Sequence, residues 1–255
     1  MTIDFPLILV IAVFFTGGVW LIDALFLAPA RRRKAGDEEH VEPVLVEYSK
    51  SFFPVLFVVF VLRSFIVEPF QIPSSSMVPT LEVGDYILVN KFTYGLRLPV
   101  LRTKVLDVKE PERGDVMVFF PPHMNKTYYI KRVIGLPGDT VTHRSRRLYV
   151  NGKPVPSETL AVLPDGRSRY RVSRAEFGED GHLLQENISR PARDFSVVVR
   201  PGHYFMMGDN RDNSSDSRVW GQVAQKDIVG KAFAVWMHWD SLFSIPSFSR
   251  VGLIQ

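Results

Sequence analysis

The sequence predicts a mostly β protein in which an antiparallel sheet domain follows two apolar N-terminal segments able to cross a membrane. Residues 5–22 carry no charge, and a second apolar segment covers residues 51–67. Beyond residue 80, short apolar runs are separated by Gly, Pro and Asp, which is typical of antiparallel strands joined by turns. With 255 residues, the chain is also long enough to bury a real core.

The first apolar segment is interpreted as a transmembrane helix within residues 1–29. Residues 5–22 are uncharged, and the apolar character continues past Asp23 to Pro29. This length is about what a helix needs to span a hydrocarbon core. The start of the chain, "MTID", lacks the basic residues of a cleavable signal peptide, so we expect this segment to be retained. Basic residues at 31–34 follow, and by the positive-inside rule they place residues 30–50 in the cytoplasm.

The second apolar segment, residues 51–67, is interrupted by Arg63. A helix that lies in the membrane interface or in a protein core is the alternative interpretation. Arg63 lies near the far end of the segment, where a long side chain can reach the head groups, so a second transmembrane helix is predicted. Everything after Glu68 would then lie outside the cytoplasm.

The β domain is predicted in two parts, residues 68–143 and residues 193–255. Between them, residues 144–192 are richer in charge, Gly and Pro, and we interpret this stretch as an insertion into the β core. The expected strands are marked by the runs "DYILVNKF", "DVMVFF", "YYIKRVI", "RLYVNG", "FSVVVRPG", "YFMMGDN" and "GKAFAVWMHW".

Composition and charge limit the classes of partner. The net charge of +4 and the pI of about 9.3 would suit nucleic acid, but an external domain makes anionic membrane lipid the expected partner, with no nucleic acid. The chain has no cysteine, which excludes thiolate metal sites and cysteine nucleophiles. We expect no cofactor and no metal.

Three serines stand between two prolines in "FQIPSSSMVPTL", residues 70–81. A simple loop or a helix cap is the ordinary explanation for serines beside prolines. The flanking residues argue against an idle linker, because they are apolar at a density that solvated linkers avoid. We therefore expect a folded structure around these serines.

A candidate base lies in the run "YYIKRVIG". Strand alternation puts Tyr129, Lys131 and Val133 on one face and Ile130 and its alternate neighbours on the other. A lysine that reaches solvent at a sheet edge is the alternative. If the face is buried, desolvation lowers the lysine pKa and makes a neutral amine available to a serine.

Histidine is the other possible base for a serine nucleophile. His203, in "PGHYFMMGDN", and His238 are the candidates outside the loops, and order in the chain cannot exclude a Ser-His-Asp triad with His203. The G-x-S-x-G and S-x-x-K motifs of other serine hydrolases are absent from the sequence.

The stretch "GDNRDNSSDSR", residues 208–218, is dense in carboxylates, amides and serines. A calcium loop is disfavoured, because Ser217 and Val223 stand where an EF-hand starting at Asp212 needs glycine and glutamate. The alternative is a rigid loop braced by ion pairs among Asp209, Asp212, Asp216 and the arginines Arg132, Arg211 and Arg218.

These motifs together carry a family resemblance. "PSSSMVPTL", "GDYILVNKFTYG", "RGDVMVFF", "YIKRVIGLPGD" and "GDNRDNSSDSR", in this order after N-terminal membrane segments, resemble the successive boxes of bacterial type I signal peptidases, also called leader peptidases. The resemblance covers most of residues 62–240 apart from the insertion. It implies a Ser/Lys serine endopeptidase of the bacterial inner membrane that removes signal peptides from exported precursors, cutting after small residues.

The resemblance also implies roles for particular residues. Ser76 falls at the nucleophile and Lys131 at the general base, while the Ser74 hydroxyl and the Ser76 N–H form the oxyanion hole. Family enzymes often have glycine where this chain has Ser75. Support for the dyad is expected from Ser214, Asp216, Arg218 and Tyr129. Substrate contacts are expected from Phe70, Gln71, Ile72, Pro73, Met77, Tyr128 and Ile130, with Ile72 and Ile130 lining the pockets for residues −1 and −3.

Two rival functions stay open at this point. Ser/Lys autoproteases of the LexA repressor kind cut an Ala-Gly bond, and the chain has Ala35-Gly36, although in the predicted cytoplasmic loop. A non-catalytic peptide-binding module is disfavoured because both dyad positions are intact. The expected partners are precursors that carry signal peptides, membrane lipid and the export translocon.

Overall fold

The structure, a computed structural model, describes residues 5–35, 42–101, 103–124, 127–165, 168–177, 180–241 and 243–255. Part of the predicted cytoplasmic loop, including Gly36 and His40, lies outside the described residues, as do two short pieces of the 144–192 stretch. The chain divides into two compact units. One contains residues 1–67 and 96–106, and the other contains residues 68–95 and 107–255.

The first unit is built on two long apolar helices, as predicted. Their segments are α1 (Phe5–Ile22), a π-helical turn (Asp23–Leu27), α2 (Ala28–Ala35), α3 (Val44–Val61) and a second π-helical turn (Leu62–Ile66). Over Phe5–Arg31 and Val44–Ile66 these helices are long and apolar enough to cross a membrane. The second helix begins at Val44, upstream of the apolar segment 51–67, directly after Pro43.

The two long helices pack against each other within this unit. A side chain at Gly17 would collide with the Phe53 ring, because an ideal Cβ would lie 2.6 Å from a ring carbon. Glycine therefore permits the close approach, and Trp20 packs on the same ring with centroids 5.4 Å apart. Near the start of α1, the Arg63 guanidinium lies 4.1 Å from the centre of the Phe5 ring, which gives this cation a partner among apolar residues.

In the rest of the described chain the regular secondary structure is mainly β, so the predicted fold class is confirmed. The strands are β1 (Val67–Gln71), β2 (Asp85–Asn90), β3 (Leu96–Arg97), β4 (Lys104–Leu106), β5 (Val116–Phe119), β6 (Tyr129–Gly135), β7 (Thr140–Arg144), β8 (Arg147–Val150), β9 (Lys153–Pro154), β10 (Ser157–Asp165), β11 (Ser168–Phe177), β12 (Asp180–Asn187), β13 (Phe195–Val198), β14 (His203–Met207), β15 (Val223–Ala224), β16 (Ile228–His238) and β17 (Gly252–Leu253). One short helix, α4 (Ser217–Trp220), follows the loop at 208–216.

The largest sheet contains eight of the described strands. Its order is β1, β2, β16, β5, β6, β14, β15, and β17 pairs with β16. A second sheet has the order β13, β7, β8, β9, and β3 pairs with β4 in the first unit. Strands β10, β11 and β12 form a separate antiparallel sheet, and all three come from the stretch interpreted as an insertion.

Strand β6 lies between β5 and β14, and both of its faces are buried. Three side chains of β6 pack in three different apolar clusters: Ile130 in one, Val133 in a second and Ile134 in a third. Two cations sit in the middle of this strand, since Lys131 is only 4% exposed and Arg132 only 1%. Buried charges of this kind need partners or a shifted pKa.

Arg132 has its partner in Asp209, which is fully buried. The Arg132 Nε and Nη2 atoms donate to the two Asp209 carboxylate oxygens at 2.8 Å and 2.7 Å, and Thr80 Oγ1 donates to the same carboxylate at 2.6 Å. Burial by itself raises the pKa of Asp209, but the Arg132 charge outweighs it and the pKa lies below the ordinary value. Asp209 is therefore a carboxylate, and the pair ties β6 to the 208–218 loop.

We expect Asp209→Asn to lower the melting temperature of the full chain by about 10 °C. Removal of one partner of a buried ion pair costs about 3–5 kcal/mol, because the other charge stays buried and unpaired. In a domain of this size each kcal/mol shifts the melting temperature by about 2–4 °C. The measurement is thermal unfolding in detergent micelles, followed by circular dichroism.

The matched control is Glu82→Gln. Glu82 pairs with Arg250 at 2.8 Å, but its side chain is 50% exposed, so we expect a change of less than about 1 kcal/mol. An Asp209→Asn variant that melts as close to the parent as this control does would contradict the assigned role of the buried pair.

Candidate active site

The serine turn, Ser75–Met77, follows shortly after β1, the edge strand of the large sheet. Ile72 still pairs with β2, since its N–H donates to a backbone carbonyl there at 2.8 Å. Ser74 is extended, with φ −141° and ψ 155°. The next residues, Ser75–Met77, form one 3₁₀ turn whose first carbonyl accepts the Val78 N–H. The last side chain of the turn is fully buried, which fixes the turn on the apolar core.

Lys131 reaches the serine turn from β6. Its Nζ atom donates to Ser76 Oγ at 2.6 Å and to the Ile130 carbonyl at 2.8 Å. Ser76 and Lys131 are 8% and 4% exposed, so this contact is almost completely shielded from water. The two residues are 55 positions apart in the chain, and the fold brings them into direct contact.

The surroundings of Lys131 lower its pKa to about 8. Burial is the main cause, the Arg218 charge acts in the same direction, and the charges of Asp216 and Asp209 act against them. With this pKa, roughly a tenth of the enzyme carries a neutral lysine at pH 7. A buried neutral amine beside a hydroxyl can accept its proton, which is the arrangement that nucleophilic serine chemistry requires.

The Ser74 hydroxyl is a second neighbour of the Ser76 hydroxyl. The two Oγ atoms are 3.3 Å apart. Ser76 also lies in the first turn of a helix, where backbone N–H groups have no acceptor inside the helix. A hydroxyl and an N–H that point toward one position can stabilise an oxyanion there.

The 208–218 loop closes over the serine turn at Gly208. A side chain on Gly208 would collide with the Ser76 carbonyl oxygen and with the Ser214 hydroxyl, so only glycine permits this approach. The Gly208 N–H donates to an Asp216 carboxylate oxygen at 3.0 Å. Asp216 is fully buried, and it binds Arg218 through two hydrogen bonds of 2.7 Å and 2.6 Å.

Two of the expected supporting residues, Tyr129 and Ser214, make no hydrogen bond to Lys131. The Lys131 Nζ atom is 5.8 Å from the centre of the Tyr129 ring, on the face that strand alternation predicted. The Ser214 hydroxyl is buried and has no hydrogen-bond partner among the described residues. The structure therefore brings Ser214 to the site through Gly208, without a hydrogen bond to the lysine amine.

The residues expected to contact substrate divide into buried and exposed groups. Ile72, Met77 and Ile130 belong to one apolar cluster and are at most 9% exposed. Phe70 and Tyr128 meet edge to face with ring centroids 5.0 Å apart, and the Tyr128 side chain stays partly exposed. Gln71 and Pro73 are exposed.

The alternative histidine bases are bonded elsewhere. His203 Nδ1 lies 2.9 Å from the Pro201 carbonyl oxygen, and His238 lies between the carboxylates of Asp85 and Asp240 at 2.8 Å each. Within the described residues, the hydrogen bonds of the Ser76 hydroxyl go to Lys131 and Ser74. The geometry thus offers an amine base and no histidine base.

Sequence reasoning missed several contacts from polar residues. Asn210 and Asn213 donate from their side chains to the carbonyl and the hydroxyl of Ser75, both at 3.1 Å. His182, from the stretch interpreted as an insertion, is 2% exposed and stacks on Phe177, and its Nε2 atom lies 4.0 Å from Asp209. Burial lowers the pKa of His182 to about 3, so this ring is neutral.

Comparison with known proteins identifies the family. The family described as "Signal peptidase, peptidase S26" matches residues 45–239. Signal peptidase I of Pseudomonas aeruginosa is 50% identical over 286 residues, with 100% of both chains covered. Signal peptidase I of Pseudomonas fluorescens is likewise 50% identical, over 284 residues and 100% of both chains. A crystal structure of a signal peptidase I from Enterococcus faecalis V583 shares 28% identity, with a TM-score of 0.34 over 49% of this chain and 98% of that chain.

The matched region contains the whole arrangement described above. Residues 45–239 include the serine turn, Lys131 and the 208–218 loop, and the Pseudomonas relatives match this chain from end to end. On this evidence, the chain belongs to the signal peptidase I family.

Proposed function

We propose that this chain is a membrane-bound serine endopeptidase that removes N-terminal signal peptides from exported precursor proteins. The buried 2.6 Å contact between Lys131 Nζ and Ser76 Oγ carries the proposal, because it pairs a hydroxyl with an amine whose pKa is lowered to about 8. Membership of the signal peptidase I family supports the substrate class.

The proposed reaction begins with proton transfer from Ser76 to the neutral Lys131 amine. The Ser76 Oγ atom then bonds to the scissile carbonyl carbon, and the carbonyl oxygen becomes an oxyanion that accepts from the Ser74 hydroxyl and the Ser76 N–H. Protonated Lys131 gives its proton to the nitrogen of the mature chain as the scissile C–N bond breaks, which leaves the signal peptide as an acyl ester on Ser76. Lys131 then takes a proton from a water molecule whose oxygen bonds to the acyl carbon. The ester bond breaks, the proton returns from Lys131 to Ser76 Oγ, and the signal peptide leaves as a carboxylic acid.

The supporting residues keep the lysine in place. The Asp216–Arg218 pair holds Gly208 against the serine turn, and Ser214 packs against Gly208. The centre of the Tyr129 ring lies 5.8 Å from the Lys131 amine. None of these groups needs to carry a proton during the reaction. Their proposed role is to keep water away from Lys131, so that its pKa stays low.

The signal peptide is proposed to bind extended along residues 70–73 and 128–130. Extended peptides are recognised through backbone hydrogen bonds, with alternate side chains entering pockets. Ile72, Met77 and Ile130 belong to one closely packed apolar cluster, which forms the floor of the proposed pockets. Because this floor is already filled, only small side chains should fit at −1 and −3. Specificity of the Ala-x-Ala type follows from this shape.

The protein is proposed to cross the inner membrane twice, with residues 30–50 in the cytoplasm and the chain from residue 68 onward outside. The basic cluster at 31–34 supports this orientation, and the net charge of +4 favours contact with anionic lipid.

We expect protease added to intact spheroplasts to degrade the region after residue 80 and to spare residues 31–50, because only the former should be accessible from outside. Antibodies against an epitope in each region report the fragments. Permeabilised cells, in which both regions should be cleaved, are the control. Protection of the sheet domain together with cleavage of the loop would reverse the proposed orientation.

We expect a precursor with Ala at −1 and −3 to be cleaved, and replacement of the −1 residue by Phe to reduce kcat/KM by on the order of 100-fold or more. The reason is that a bulky side chain has no space over the buried isoleucines. Initial rates with purified precursors measure the effect, and a precursor with Gly at −1 serves as a small-residue control. Comparable rates for Ala and Phe would refute the proposed pockets.

Lys131→Arg distinguishes a general base from a mere positive charge. Arginine keeps the charge and most of the length, but it remains protonated at any usable pH. We expect its single-turnover cleavage rate to fall by on the order of 1000-fold or more, toward that of Ser76→Ala. For the parent, log(kcat/KM) should rise with pH and level off above about pH 8, where most of the amine is neutral.

The control for this comparison is circular dichroism of both variants, which should show the parent fold. A folded Lys131→Arg enzyme that cleaves at a substantial fraction of the parent rate would exclude Lys131 as the base. It would also reopen the question of a histidine.

A further inference from the structure

Asn210 holds the serine turn from two directions. Its backbone N–H donates to the Ser76 carbonyl, and its side-chain Nδ2 donates to the Ser75 carbonyl, both at 3.1 Å. One residue of the 208–218 loop therefore contacts two consecutive carbonyl groups of the turn. Asn210 is only 4% exposed, so water does not compete freely for these bonds.

Asn210 is itself held firmly in position. The Gln185 N–H donates to the Asp209 carbonyl, and the Arg211 N–H donates to the Gln185 carbonyl, both at 2.8 Å, so strand β12 fixes the backbone on each side of Asn210. Chemistry also settles the direction of the side-chain amide. A carbonyl oxygen only accepts, so only the amide nitrogen can face Ser75.

The contact with the Ser75 carbonyl has a consequence for Ser76, because the Ser75 C=O and the Ser76 N–H belong to one planar peptide unit. In a trans peptide these two bonds point in opposite directions. A donor that fixes the direction of the Ser75 carbonyl therefore also fixes the direction of the Ser76 N–H. That N–H is the backbone donor of the oxyanion hole in the proposed reaction.

We propose that Asn210 is a positioning residue for the oxyanion hole, which it serves by fixing the Ser75–Ser76 peptide plane. This inference rests on the proposed function of Ser76 as nucleophile. Asn210 does not touch the substrate carbonyl and acts through the Ser76 N–H. Its effect should thus appear in the transition state, where the oxyanion forms, and hardly at all in the binding of intact substrate.

The expected effect is smaller than that of removing an oxyanion donor outright. The Ser75 carbonyl also accepts the Val78 N–H at 3.2 Å, so the turn keeps one of its two restraints when the amide is lost. Outright loss of such a donor lowers kcat by about 100- to 1000-fold. For Asn210→Ala we expect kcat to fall by about 10- to 100-fold, with KM within about twofold of the parent.

The experiment uses the purified full chain in detergent micelles, a precursor with Ala at −1 and −3, and two inhibitors of the same sequence. A peptide aldehyde adds reversibly to the Ser76 hydroxyl and places its oxygen in the oxyanion hole, whereas the matching peptide alcohol fills the subsites without adding. The aldehyde Ki should rise by about the same factor as kcat falls, and the alcohol Ki should change by less than about twofold. Neither Ki depends on the fraction of folded enzyme.

Two further variants make the comparison decisive. Asn210→Asp keeps the side-chain shape but replaces the donor with an acceptor. Its Ki for the aldehyde should therefore rise as well, while its Ki for the alcohol stays nearly unchanged. Asn213→Ala removes the neighbouring amide that donates to the Ser75 hydroxyl, which does not lie in the peptide plane, and its kcat should stay within about threefold of the parent.

The inference fails if kcat of both Asn210 variants stays within about threefold of the parent. It also fails if aldehyde and alcohol lose affinity equally, or if neither variant binds the alcohol, since Asn210 would then shape the whole site and not one peptide plane. Ser76→Ala, assayed alongside, separates the two proposals. Cleavage by Ser76→Ala at the parent rate would refute the proposed nucleophile, whereas inactive Ser76→Ala beside fully active Asn210 variants would refute only the positioning role.

Discussion

The buried ion pair between Arg132 and Asp209 is the contact on which the geometry of the site depends. Arg132 adjoins Lys131 in strand β6, and Asp209 adjoins Asn210 in the 208–218 loop. Thr80, which follows the serine turn, donates to the Asp209 carboxylate as well. One pair of charges thereby sets the spacing of three segments that are far apart in sequence. Both side chains are at most 1% exposed, so neither solvent nor salt weakens the contact appreciably.

Residues of the stretch 144–192, in strand β12 and in the turn between β7 and β8, also hold the 208–218 loop. Asp212 accepts from the Arg146 guanidinium at 3.1 Å and from the Asn187 N–H at 2.8 Å, and Gln185 bonds to the backbone on both sides of Asn210. A stretch of chain with no interpretable motif therefore holds the loop that contacts the serine turn. These contacts use backbone groups of Gln185 and Asn187 and the Arg146 side chain, and such long-range polar contacts leave no periodic pattern in a sequence.

The features that could be predicted from the sequence are those that depend on local residue order and periodicity. Alternation in "YYIKRVIG" placed Lys131 beside Tyr129, and the consecutive boxes pointed to Ser76 before any contact was known. It could not show that Asn210 bonds to Ser75, because the two residues are 135 positions apart and a polar loop has no periodicity that would orient an amide. Nor could it show that His182, which lies in the charge-rich stretch 144–192, is buried against Phe177.

The burial of Lys131 also affects the stability of the folded chain. An unfolded chain has an ordinary lysine with a pKa near 10.5, whereas the folded chain holds this amine at about 8, so between these pH values the unfolded state binds more protons. Proton binding therefore favours unfolding, and at pH 7 the cost to the folded state is on the order of 3 kcal/mol. This cost disappears as the pH rises toward 10.5. The same desolvation that makes the amine a base thus weakens the fold, and the apolar clusters around β6 supply the stability that offsets it.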